Sequence, residues 1–76
     1  MKKLYELIKK TYDTGKMPVK NMPLAGFRYL VMLYNELAKD GKSYVNMYSD
    51  LLLPLLDKCK IKYEENAEGL GWIVTV

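Results

Sequence analysis

The stretch from Leu24 to Lys39 reads as a helix that is apolar around most of its circumference rather than along one stripe. Stepping about 100° per residue, its charged and amide side chains, Arg28, Asn35, Glu36 and Lys39, crowd into roughly one third of the wheel. Leu24, Phe27, Tyr29, Leu30, Val31, Met32, Leu33, Tyr34, Leu37 and Ala38 take the rest. A surface helix needs an apolar stripe a little wider than about 100°, and one that is apolar nearly all round must be covered on several sides. In 76 residues there is little other protein to do the covering. A protein partner or a second copy of the chain therefore enters the reading at once, with Tyr29, Met32, Leu33 and Tyr34 as the candidate protein-binding residues.

Size sharpens the problem. A domain this small buries only a little over about 60% of the surface its unfolded chain exposes, and such domains often add disulfides, a structural metal or oligomerisation. Cys59 is the only cysteine and there is no histidine, so neither an internal disulfide nor a Cys/His zinc site can be built. Half the residues are hydrophobic, which is ample for a core and inconsistent with general disorder. No stretch approaches the roughly 20 apolar residues of a membrane span, and the opening Met1-Lys2-Lys3 is followed by too short and too charged a segment for a secretory signal. The expected location is the cytoplasm, with which a free thiol agrees.

The formal net charge of +3 is unevenly placed. Residues 1–42 hold nine basic side chains against four acidic ones, whereas residues 43–76 hold three against five. A basic half can meet nucleic acid or an acidic protein surface, although solvated lysines on a helix face give the same pattern. If nucleic acid is bound, the gripping residues are Lys2, Lys3, Lys9, Lys10, Lys16 and Lys20.

Along the chain, Lys2–Asp13 forms an amphipathic helix with Leu4, Tyr5, Ile8, Thr11 and Tyr12 on one face, stopped at Gly15. Two prolines make residues 16–23 an ordered loop, expected to be pinned to the core by Met17, Val19 and Met22. The second helix, about residues 24–39, follows and ends at Asp40-Gly41. A short strand is expected at about residues 43–47, because a helix begun at Ser43 would carry Pro54 deep inside at a cost of about 3 kcal/mol. A helix over about residues 50–58, capped by Ser49 or Asp50, leaves that proline near its first turn. Alternation in Lys60–Glu64, turn residues in 66–71 and the β-branched Trp72–Val76 give a C-terminal hairpin over about 60–76.

The expected fold class is α+β: one domain over residues 1–76, with three helices, a C-terminal β-hairpin and a third short strand. The order resembles a winged-helix domain in outline, with one helix of the usual helix-turn-helix pair missing or moved. That likeness implies a fold and says little about function.

Chemistry is sparse. Without histidine, acid–base work would fall to carboxylates, lysines or tyrosines, and Glu64, Glu65 and Glu68 lie on a turn with no apolar pocket to raise a pKa. Cys59 sits between Lys58 and Lys60, which would lower a thiol pKa, but has no base partner. Gly69-Leu70-Gly71 lacks the Lys-Ser/Thr of a phosphate loop. No enzyme activity, cofactor, metal or small-molecule substrate is implied. As a nucleic-acid reader the chain is poorly equipped: the short third helix offers Lys58 alone among leucines, and the hairpin is acidic where phosphate contact would want it basic. Seven tyrosines and five methionines favour a protein partner, since both residue types are enriched in interface cores. In composition the chain resembles short phage or mobile-element accessory proteins that modulate a host factor. The expected function is a non-enzymatic protein-binding module, with a winged-helix-like nucleic-acid binder as the alternative.

Overall fold

A computed structural model describes all residues, 1–76. The elements run α1 (Lys2–Thr14), α2 (Leu24–Asp40), β1 (Lys42–Val45), α3 (Ser49–Lys58), β2 (Lys62–Glu65) and β3 (Trp72–Thr75). The strands form one antiparallel sheet in the order β1-β3-β2, so the hairpin's second strand is central. The fold is α+β, with three helices against a three-stranded sheet, and its element boundaries lie within about two residues of those read from the sequence.

Apolar spacing decides which faces turn inward. Leu4, Ile8 and Thr11 bury one side of α1; Phe27, Leu30, Leu33 and Leu37 bury one side of α2; and Leu52, Leu55 and Leu56 bury one side of α3. These meet Val45 and Val74 from the sheet, with Met22, Cys59 and Ile61 closing the periphery of a single core. The period-2 alternation of β1 buries Ser43 and Val45 and exposes Lys42 and Tyr44. Opposite them on the same inner face stand Val74 and Trp72 of β3, and Tyr63 of β2 meets the Trp72 ring edge-on at 5.8 Å.

Left-handed backbone makes three of the junctions. Gly41 ends α2 at φ 72°, giving its N–H to Leu37, and its carbonyl accepts the Val76 N–H, which ties the chain end to the start of β1. After α3 the Lys60 N–H bonds to the Asp57 carbonyl and the Ile61 N–H to that of Leu56, a Schellman motif with the buried Ile61 and Leu56 as its apolar pair. Lys60 holds the left-handed position at φ 58°, where glycine is usual. Gly71, at φ 89°, enters β3 so close to β1 that a Cβ there would press into the Val45 carbonyl and lie 3.1 Å from the Asn46 Cα.

Four expectations are corrected. β1 ends at Val45 rather than at 47, because Asn46 turns to the Tyr29 hydroxyl and Tyr48 adopts φ 56° to open α3. Neither Ser49 nor Asp50 caps α3 with its side chain: the Tyr48 carbonyl accepts the Leu51 and Leu52 N–H groups at 3.0 and 2.9 Å, so the backbone turn starts the helix unaided. Pro54 consequently lies in the second turn, where the Asp50 carbonyl loses its intrahelical donor; both residues are exposed, which leaves that carbonyl to solvent. In the loop after α1, Met22 is buried and Val19 packs on the core, but Met17 is exposed.

The two tight turns make opposite forecasts. Replacing Lys60 by glycine removes a left-handed penalty of about 1–2 kcal/mol and adds roughly half of that in unfolded-chain entropy, for a net gain of about 0.5–1 kcal/mol. Gly71→Ala combines strain of about 1–3 kcal/mol with a backbone collision and should lower stability by at least that much. Urea midpoints at unchanged m-value measure both, and equal midpoints for the two variants would refute the geometry described.

Candidate protein-docking surface

The candidate residues of α2 divide between the core and three different sides of the helix. Leu33 is buried in the core and offers no surface. Tyr29 and Tyr34, at about 100° per residue, point about 140° apart. The Tyr29 hydroxyl donates to the Asn46 side-chain oxygen at 2.7 Å and accepts the Asn46 N–H at 3.2 Å, while its ring leans on Tyr48 with centroids 6.0 Å apart. It is an internal brace between α2 and the β1–α3 connection. Met32, 45% exposed, falls inside the polar arc between Lys39 and Glu36. The four therefore do not form one patch, and Tyr34 alone lies beside other half-exposed apolar residues.

Those residues belong to the outer seam between α1 and α2. Tyr5 stacks on Tyr34 with centroids 5.9 Å apart, and Tyr12 meets Phe27 edge-on at 5.4 Å, so the two helices run antiparallel with their aromatic residues paired across the join. On α1 the exposed partners, Tyr5 and Tyr12, are seven residues apart and share a face. On α2, Leu24, Val31 and Ala38 repeat at the same interval, on the flank just beyond Phe27 and Tyr34. Tyr12 is 67% exposed, Leu24 54% and Tyr5 48%. This seven-residue spacing was present in the sequence, but only the placement of α1 against α2 joins its two halves into one stripe.

The six candidate lysines are all exposed but do not converge. Lys2 and Lys9 flank the aromatic side of α1. Lys3 and Lys10 lie about 100° round, bordering with Glu6, Leu7, Lys58 and Cys59 a shallow cleft of about 270 Å³. Lys16 and Lys20 belong to the loop before α2. On α3 the exposed residues are Asp50, Pro54, Asp57 and Lys58, and on the hairpin Glu64, Glu65 and Glu68 stand out with Leu70, which is 93% exposed. Those surfaces are acidic where a nucleic-acid reader would be basic.

Titratable groups add little chemistry. Burial pushes the Cys59 thiol up, and the positive charges of the N-terminus, Lys3 and Lys58 only partly oppose it, so the thiolate expected from its lysine neighbours is disfavoured. The Tyr63 hydroxyl donates to both Asp57 carboxylate oxygens at 2.8 and 2.9 Å, which raises the phenol above its ordinary value near 10 and latches β2 onto α3. The buried Ser43 hydroxyl donates to the Glu36 carboxylate in the same manner, fastening β1 to α2. No helix is long and apolar enough to cross a membrane.

The Tyr63 latch has a pH signature. The folded state holds the phenolic proton more tightly than the unfolded chain, so its contribution is complete below about pH 10 and is lost as pH rises through the raised folded pKa. Urea unfolding between about pH 8 and 11 should show wild type losing its advantage over Tyr63→Phe at the alkaline end; parallel curves would rule the latch out.

With this geometry in hand, the chain was compared with protein-family models, with curated proteins and with solved structures, and none of them matches it.

Proposed function

We propose that this chain is a small non-enzymatic cytoplasmic module that docks another protein along the outer seam of α1 and α2, as an accessory protein of the phage or mobile-element kind that modulates a host factor. The observation that carries the docking reading is the alignment of Tyr5, Tyr12, Leu24, Val31 and Ala38 into one stripe. Singly exposed apolar residues are ordinary, but contiguous ones mark interaction sites. Tyrosine suits the purpose, presenting a rigid ring and a polar tip. The accessory-protein reading rests on composition alone.

Leu24 and Tyr12 project mostly into solvent, so replacing both by serine should cost the fold less than about 1.5 kcal/mol. Affinity capture from an extract of the cells that make the protein should return a partner with wild type and lose it with the double variant at unchanged circular dichroism. Retention of the same partner by the variant would remove the seam from consideration.

A second reading, nucleic-acid binding, is favoured by the sheet order β1-β3-β2 with its projecting hairpin and by the lysines of α1. Since those lysines reach phosphates and the hairpin is acidic, binding to duplex DNA should be weak, sequence-independent and steeply salt-dependent through counterion release. Lys9→Ala with Lys10→Ala should abolish most of it in an anisotropy titration, and Glu64→Ala with Glu65→Ala should leave it unchanged or stronger. Tight, salt-resistant binding to one duplex, lost on changing the hairpin, would put this reading first.

A further inference from the structure

We infer that the occupant of the α1–α2 seam is an acidic amphipathic helix of another protein; this rests on the docking reading above and names the partner's chemistry. Three properties of the seam converge on it. The first is its spacing: apolar positions repeat every seven residues on two antiparallel helices, a pattern that a third helix matches with anchors at i, i+3 or i+4, and i+7.

The second is its rim. Just beyond the apolar stripe, α1 presents Lys2 and Lys9, and α2 presents Arg28 and Lys39, all exposed. Two carboxylates share the α1 side, Asp13 at 4.0 Å from the Lys9 ammonium and Glu6 four residues on from Lys2, so that row is balanced and the uncompensated cations of the rim are Arg28 and Lys39 on α2. An apolar strip bordered on its α2 side by uncompensated cations is complementary to a helix with an apolar stripe and glutamates or aspartates on the shoulder that faces α2.

The third is its area. With about 200 Å² for a tyrosine side chain and slightly less for leucine, the exposed fractions of Tyr5, Tyr12 and Leu24 leave roughly 300 Å² of apolar surface. A stable dimer of folded chains takes about 800 Å² from each partner, so a second copy would have to extend the contact well over the charged rim. A single helix needs no such extension and can set its carboxylates against Arg28 and Lys39.

The test uses the whole chain and three fluorescent peptides of about 18 residues, five helical turns. One carries a leucine stripe with glutamate shoulders, one the same stripe with lysine shoulders, and one the acidic composition in shuffled order. In anisotropy titrations at about 0.1 M salt the acidic striped peptide should bind at least about tenfold more tightly than either control. Lys9→Glu combined with Arg28→Glu should remove that preference, and Tyr12→Ser should weaken binding by at least about tenfold, each at unchanged circular dichroism. Equal binding of the lysine-shouldered peptide, or none of any peptide, overturns the acidic-helix inference. The docking reading then still stands or falls on extract capture by the Leu24/Tyr12 serine variant. A wild-type dimer in light scattering that becomes monomeric with Tyr12→Ser also overturns the inference, because the occupant is then a second copy.

Discussion

Everything in this fold answers to one demand: a helix apolar nearly all round must be kept from water by a chain with a single cysteine and no histidine. The solution is to give each side of α2 a different cover. Leu30, Leu33 and Leu37 face the shared core. On one flank Tyr29 and Glu36 reach β1 and its exit, where the Asn46 amide and the Ser43 hydroxyl receive them. On the other flank Phe27 and Tyr34 stack against Tyr12 and Tyr5 of α1. The tyrosines matter because a phenol ends an apolar surface in a hydrogen bond, so it can stand at a boundary where leucine would leave either a hole or an exposed face.

The same tyrosines solve the edge problem of the sheet. β1 and β2 are both edge strands, and an unpaired edge invites association with another chain. The Tyr29 hydroxyl caps the exit of β1, occupying the Asn46 N–H at 3.2 Å. β2 guards itself with charge, presenting Lys62, Glu64 and Glu65 outward, while Tyr63 holds it to Asp57 on α3. Gly71 then fixes where the hairpin returns, since only a residue without a side chain can pass so close to the Val45 carbonyl. Helix covering and sheet register thus depend on a handful of contacts made by polar ends of apolar residues.

Periodicity made most of this legible in advance. The apolar spacing of α1, α2 and α3 and the alternation around Ile61 and Ile73 define the elements, and the cost of burying Pro54 separates β1 from α3. What the sequence could not convey was conformation without a residue-type signal. Tyr48 and Lys60 both take left-handed backbone that glycine or asparagine would have announced, so the unaided start of α3 and its Schellman ending were hidden. The candidate site suffered for a different reason. Counting around the wheel of α2 shows that too much of it is apolar, but not that Asn46, forty-six residues into the chain, claims the Tyr29 hydroxyl, or that Leu33 faces inward. Coverage is a tertiary property, and the stripe on the seam exists only once Tyr5 and Tyr12 lie beside Leu24 and Val31.

Folding uses only the inner part of that seam, where Tyr5 and Tyr12 cover Tyr34 and Phe27. Burial free energy scales with area withdrawn from water, and Leu24, Tyr5 and Tyr12 keep about half of their area or more in solvent. A polar residue at Leu24 or a shorter one at Tyr12 would leave the core residues Leu4, Ile8 and Leu30 where they are. Of the exposed large apolar side chains, Met17, Met32, Tyr44, Met47, Leu70 and Val76 lie elsewhere on the surface, whereas Tyr5, Tyr12 and Leu24 stand in register along the seam. Scattered apolar side chains cost little and bind nothing, whereas aligned ones bind whatever matches their spacing and their rim.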